Sequence, residues 1–405
     1  MTPAATTGAL EIFRVFLGLG TTSFGGPVAH LGYLREAFVT RRGWLDEPQF
    51  AQLLAICQFL PGPASSQLGF GIGLLRGGWA GALAAFAGFT LPSALLMLAF
   101  AVVAPHVAGG PGAAALHGLK LVAVAVVAHG LIGMWRALAP DGSRTLLALA
   151  AAALLTITGN AWFQLAAIAG GGVAGLWLCR GLAPSQPVAL PVPHGRGAAL
   201  ACLALFAAAL LAAIALAVPA TGPTSSPATA DLASAFYRAG ALVFGGGHVV
   251  LPLLQQSVVE PGWVSEDVFL AGYGAAQAVP GPMFTLSAFL GAEAWPGTPI
   301  AGAAVALAAV FLPGFLLLLA VLPAWSRLVA HPRAMRVVAG INAVVVGLLL
   351  AALYDPVLTQ GVRSMADALV AAVGLVLLAV FGRSALWVVA WCVGATVVLS
   401  LVGIG

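Results

Sequence analysis

The chain carries few residues able to do chemistry, and most of them lie beside breaks in long apolar sequence. Pro61, Gly62 and Pro63 form one break, and Pro280, Gly281 and Pro282 form another. Ser65, Ser66 and Gln67 follow the first break and Thr285 follows the second, while Gln58 and Gln277 stand just before them. A second kind of break, Gly25-Gly26-Pro27 and Gly245-Gly246-Gly247, is followed by His30 and His248. Proline removes a backbone donor and glycine removes the steric limit on backbone shape, so each motif ends a helix. A half-helix that starts at such a break points free N–H groups and a positive dipole end away from its own first turn. That is an anion site needing no charged side chain. Hydroxyl and amide donors without carboxylates suit an oxyanion better than a cation. The alternative is that these residues serve only kinks and close packing, since Gly and Pro are common in membrane helices.

Two further polar groups sit inside apolar sequence. Lys120 is the chain's only lysine, at the start of the stretch GLKLVAVAVVAHGLIGMW, with Asn342 at the corresponding place later on. It is either a snorkelling residue or a fixed positive charge on an anion path. His129 lies in the same stretch. Ionisable groups within a membrane are expensive and often functional, and histidine titrates near neutral pH, so His30, His129 and His248 are candidates for proton coupling. Arg35, Arg41 and Arg42 are read as topology determinants, or as charges drawing anions toward a pathway.

The elements that must position these residues are membrane helices. Of 405 residues, 61% are hydrophobic and 7% charged, with mean hydropathy +1.06. Soluble domains carry roughly 25% charged residues, so the expected fold is an all-α polytopic membrane protein. Apolar runs of spanning length occupy 81–104, 119–135, 198–218, 301–322, 337–353 and 385–402, with weaker ones at 145–157 and 162–178. No signal peptide is read at the N-terminus. A net charge of +4 spread over short loops does not indicate nucleic acid. Cys57, Cys179, Cys202 and Cys392 are far apart, so neither disulfide nor metal site is expected, and no cofactor. HExxH, clustered carboxylates, a thiolate–His pair and a Gly-Lys-Ser/Thr phosphate loop do not occur, which argues against an enzyme or an ATP-driven pump.

The chain is written twice. SFGGPVAHL, from Ser23, returns as VFGGGHVVL, from Val243, and GWLDEPQFAQ returns as GWVSEDVFLAG. QFLPGP returns as QAVPGP and FTLPSALLM as VFLPGFLLL, all at offsets of 219 to 221. The halves are 1–181 and 231–405. A variable connector, 182–230, lies between them with one apolar segment at 198–218. Equivalent loops have opposite charge. Arg35, Arg41 and Arg42 face Glu260, Glu266 and Asp267, and the arginine-free loop 105–118 faces Arg327, Arg333 and Arg336. Positive loops stay inside, so the halves are expected to be inverted repeats, a transporter architecture. Keeping Arg35–Arg42 and Arg76 on one side requires the motif segments to be re-entrant hairpins. The resulting expectation is about thirteen hydrophobic segments, a cytoplasmic N-terminus and only Arg363 misplaced.

The stretch from TSFGGPVAHLGYLREAFVTRRGW to QFLPGPASSQLGFGIGLLRGG resembles the signature region of the chromate ion transporter family in its long two-domain form. LVFGGGHVVLPLL, AVPGP and FLPGFLLL resemble its second domain. The resemblance covers nearly all of the chain except 182–230. It implies export of chromate from the cytoplasm through the inner membrane, driven by membrane potential or proton gradient, with sulfate as a related oxyanion. The family's motif residues fall on Phe24, Gly25, Gly26, Pro27, His30, Arg35, Arg41, Arg42, Trp44, Gln58, Pro61, Gly62, Pro63, Ser65, Ser66 and Gln67. In the second half they fall on Phe244, Gly245, Gly246, Gly247, His248, Pro252, Gln277, Pro280, Gly281 and Pro282. The expected partners are therefore a tetrahedral oxyanion and the lipid bilayer. A homo-oligomer is compatible with the sequence, and a passive oxyanion channel would use the same residues.

Overall fold

The computed structural model describes residues 7–24, 26–107, 110–158, 161–180, 190–216, 227–244, 250–325 and 331–402, and among them all regular structure is helical. The first half comprises α1 (Ala9–Thr22), α2 (Gly26–Arg35) running into a π-turn (Glu36–Arg41), α3 (Glu47–Phe59), α4 (Ala64–Val103), α5 (Pro111–Leu138), α6 (Gly142–Thr158) and α7 (Ala161–Leu178). The connector supplies α8 (Arg196–Ala215). The second half comprises α9 (Thr229–Leu242), α10 (Val250–Val258), α11 (Glu266–Ala278), a single turn (Met283–Thr285) leading into α12 (Leu286–Ala294), α13 (Pro299–Val321), α14 (Pro332–Ala352), α15 (Met365–Ala379) and α16 (Ala385–Leu401).

Several of these helices are too short to cross a bilayer. α3 and α11 have 13 residues each, about 20 Å at 1.5 Å per residue, against a hydrocarbon core about 30 Å thick. Both start on local caps. Asp46 accepts from the Gln49 N–H at 2.7 Å while Gln49 accepts from the Asp46 N–H, and Ser265 caps α11. Both end at a Pro-Gly-Pro break, where the chain turns back on itself. A Cβ on Gly71 would lie 3.0 Å from Leu53 Cδ1, although eighteen residues of unbroken helix would separate them by about 27 Å. Gly272 meets the Phe289 ring in the same way around the second break. Each Pro-Gly-Pro is thus the tip of a helical hairpin.

α4 is two helices rather than one of 40 residues. Gly77 and Gly78 leave helical geometry, Gly78 at φ +60. The chain then reverses so tightly that Gly73 meets the carbonyl of Gly81. Gly291 meets the carbonyl of Gly302 across the α12–α13 turn. No side chain fits at these crossings, which is the small-residue packing usual between membrane helices.

The segment 79–103 of α4, about 37 Å long, and α13 run in opposite directions. The first starts where Thr7 donates to the Arg76 carbonyl and Trp44 stacks between the guanidiniums of Arg42 and Arg76, each 5.6 Å away. Beyond its far end, α5 begins, and Lys120 of α5 meets Asp267. α13 starts beside Trp295, whose indole N–H donates to the Pro227 carbonyl at 2.7 Å. It finishes near Leu319, whose carbonyl meets His194, itself against the Trp79 ring. The halves also exchange helices: α5 packs against α15 and α16, and α14 against α6 and α7. Gly118 fits against Cys392, Val393 and Thr396, and Gly175 against Gly340.

Among the described residues, five helices are long and apolar enough to cross a membrane, counting α4 once, with shorter apolar helices beside them. Leu83, Leu91, Leu95, Leu96 and Val102 stay exposed on α4, and only 11% of the α8 apolar window is buried. In water such a surface would aggregate. The chain is a multi-pass membrane protein.

Candidate functional site

The breaks meet in two nodes, each built from both halves. In the first, the Gly62 N–H donates to the Val243 carbonyl at 2.6 Å. In the second, the Gly281 N–H donates to the Ser23 carbonyl at 2.9 Å. Ser23 and Val243 are equivalent positions 220 apart, and Gly62 and Gly281 are equivalent at 219. The two hydrogen bonds are therefore reciprocal. Both glycines have positive φ, +125 and +98, and neither has room for a side chain. A Cβ on Gly62 would lie 2.9 Å from Gly314 Cα, and one on Gly281 would lie 2.8 Å from Ser93 Oγ. Gly314 and Ser93 are themselves equivalent, each one residue after the in-helix proline of the repeated LP motif.

The glycine N–H groups expected to face an anion are thus bonded to carbonyls. The free donors lie one turn further on. Gln67 N–H makes the first bond of α4, to the Pro63 carbonyl at 2.9 Å. The N–H groups of Ala64, Ser65 and Ser66 precede it and have no intrahelical acceptor. Ser65 and Ser66 are buried, and Ser66 Oγ has no partner among the described residues. Gln67 is structural on one side: its Nε2 donates to the Pro61 and Gly314 carbonyls at 3.0 and 2.9 Å, while Oε1 is left unpaired. The second half is poorer, as its sequence implies. Thr285 Oγ1 donates back to the Pro282 carbonyl at 2.7 Å, and the Gln277 amide reaches only Met283 Sδ.

His30 belongs to the second node. Its Nε2 lies 3.1 Å from the Ser23 carbonyl, the same oxygen that Gly281 uses. A carbonyl only accepts, so Nε2 carries the proton, and Nδ1, buried and without a partner among the described residues, is the atom open to a second proton. Ser23 Oγ and Thr90 Oγ1 are likewise buried without a partner among the described residues. Phe70, Phe86, Phe284, Phe311 and Phe315 stack in a chain from α4 to α12 and α13. Among the described residues, the groups of both nodes include buried donors and no carboxylate.

Other expected residues lie elsewhere. Gly25 and Gly245 to His248 are outside the described residues, and Gly26 and Pro27 open α2. Gln58 and His129 stand on exposed sides of α3 and α5. Asn342 Oδ1 is buried without a partner on α14. Arg35 pairs with Glu47 at 2.8 Å and Arg41 with Glu36 at 2.9 Å, both exposed. The hydrogen bond from Arg35 holds the Glu47 carboxyl below its ordinary value. Arg41 and Arg42 border a cleft of about 430 Å³ against Val15, Gly18 and Leu19.

Lys120 does not extend into solvent. It is 6% exposed and ion-paired with Asp267, whose same oxygen accepts from Arg363 Nη2 at 3.0 Å. Burial would push the Asp267 carboxyl up, but the Lys120 bond and charge, with Arg363, outweigh it and hold it below its ordinary value. The pair also accounts for Arg363, the one arginine that the charge pattern misplaced. Next to it His117 meets Asp367 at 2.9 Å. Ser23, Thr90, Ser93, Val243, Gly314 and Asp267 were not singled out as site residues. The repeat signal could have found Ser93 and Gly314, which flank the duplicated proline.

The chromate transporter family profile matches residues 10–176 and again 230–398. A chromate transport protein of Pseudomonas aeruginosa is 30% identical over 85% of this chain and 80% of its own length. One from Cupriavidus metallidurans is 29% identical over 93% of this chain and 88% of its own length. No solved structure matches the chain.

Proposed function

The chain belongs to the chromate transporter family, and on that premise we propose that it is a secondary active transporter that exports chromate across the inner membrane, with sulfate as a related substrate. The dianion is held at the helix starts that follow the Pro-Gly-Pro breaks, chiefly at Ala64, Ser65 and Ser66. The observation that carries this reading is the buried helix start with free N–H groups and an unpartnered Ser66 hydroxyl. Burial in a low-dielectric interior makes such donors strong, and a helix N-terminus favours negative charge. His30 is proposed to carry the coupled proton at Nδ1, because protonation would turn a bare acceptor into a second donor beside the Gly281–Ser23 node.

The test is uptake of labelled chromate and sulfate into everted vesicles, with and without an uncoupler. Concentrative uptake that collapses with uncoupler supports the proposal. Uptake that only equilibrates, unaffected by uncoupler, would make the protein a passive channel. His30→Gln is expected to bind chromate and lose the pH dependence of uptake; an unchanged profile removes the proton from His30.

The two halves are proposed to be inverted repeats with a cytoplasmic N-terminus. The reading draws support from the reciprocal glycine bonds and the opposite runs of 79–103 and α13. In a cysteine-free background, Thr40→Cys should be labelled only from the cytoplasm and Glu260→Cys only from outside. Labelling of both from one side would end the inversion.

A further inference from the structure

We infer that Lys120 and Arg363 form a second oxyanion site at the acidic end of the molecule, which Asp267 occupies in place of the dianion. The inference rests on the oxyanion-transport reading above. Two cations converge there on one carboxylate oxygen. An ammonium has three donors and a guanidinium five, so most of their hydrogen-bonding capacity is open. Lys120 lies ten residues into α5 and is buried, which keeps its charge from being hydrated and makes an anionic partner obligatory. Asp267 stands in the first turn of α11 with its side chain 55% exposed. Solvent reaches Asp267 and Arg363, whose side chain is 53% exposed, whereas Lys120 is covered, so a dianion would compete with Asp267 from the Arg363 side. Glu266 and Asp355 are close enough to repel each other's charge, so a dianion here would be held loosely, as suits release rather than capture.

The trio ties the halves together at one end only. At the offset of 219 that relates GWLDEP to GWVSED, Pro48 stands for Asp267. Pro48 carries no charge, so the acidic member of the trio has no counterpart in the first half. This asymmetry separates the trio from the duplicated nodes, which both halves build alike.

The test is calorimetric titration of the purified full-length protein with sulfate and with chromate. Asp267→Asn removes the occupying charge at nearly constant shape. It is expected to bind a second equivalent of dianion, or to tighten apparent affinity at least tenfold, while chloride binding stays as it was. Asp267→Asn combined with Arg363→Gln should return to the wild-type isotherm. An Asp267→Asn isotherm identical to wild type, or a gain that survives Arg363→Gln, overturns the inference. Should Asp267→Asn not yield folded protein, Asp267→Ser, which also removes the charge at this exposed position, is expected to show the same gain in dianion binding, and an unchanged isotherm overturns the inference by itself. If the wild type moves no oxyanion in vesicles, the transport reading fails. If it does and these isotherms do not move, only this second site fails.

Discussion

Gly62→Ala is expected to abolish chromate uptake and strongly destabilise the protein. The backbone at Gly62 is at φ +125, a region open essentially to glycine, and strain of that kind costs about 1–3 kcal/mol. The added Cβ also meets Gly314 Cα and Gln67 Nε2, both at 2.9 Å, and overpacking costs about 1–3 kcal/mol more. Relief requires the hairpin tip to withdraw from α13, which breaks the bond to Val243 and moves the start of α4. Gly281→Ala should behave alike, since it meets Ser93 Oγ and the Phe89 carbonyl. Gly43→Ala is the control: its φ is +57 but nothing lies within 4 Å of the new atom, so only the left-handed cost of about 1–2 kcal/mol applies and uptake survives. Thermal melts in detergent and vesicle uptake read both quantities. Wild-type uptake and melting by Gly62→Ala would show that the reciprocal nodes do not hold the fold.

The second large effect falls on Gln67. Its amide bridges the Pro61 and Gly314 carbonyls across the halves and is fully buried. Gln67→Leu keeps the volume but removes the bond between the halves and leaves the buried Pro61 carbonyl without its amide donor, at about 1–3 kcal/mol. Gln277→Leu, near the other break, gives up only a contact to a thioether sulfur, a weak acceptor, and should cost less than about 1 kcal/mol. The contrast is the test, because both glutamines are buried and both lie beside a Pro-Gly-Pro. Equal destabilisation of the two variants would mean that the Gln67 bridge contributes nothing special.

Much of this arrangement was legible in the amino-acid order. The duplicated FGG, Pro-Gly-Pro and LP motifs mark the breaks, and the arginine pattern requires hairpins. Thr7, Arg42, Trp44 and Arg76 do meet at one end. What stayed hidden depends on contacts between residues about 220 apart. Free N–H groups were expected at the break glycines themselves, but Val243 and Ser23 lend their carbonyls to exactly those donors' first bonds across the halves, and the open donors shift to Ala64–Ser66. No local pattern announces such a partner. Gln67 looked like a ligand because an amide after a break can face either way, and only the position of Gly314 turns it toward the protein. Lys120 was open to two readings, both of which left it unpaired, because Asp267 is 147 residues away. His129 shares its helix with Lys120 but falls on the opposite, exposed side.

The central claim is that a divalent tetrahedral oxyanion sits at the helix start after the first Pro-Gly-Pro break. Selenate has the charge and shape of chromate and carries its own anomalous signal. Crystals of the wild-type protein grown with selenate and measured at the selenium edge should show a peak within hydrogen-bonding distance of the Ala64, Ser65 and Ser66 N–H groups and Ser66 Oγ. A protein that transports chromate in vesicles yet shows selenium only at Lys120 and Arg363, or only at the exposed Arg41 and Arg42, would contradict the account.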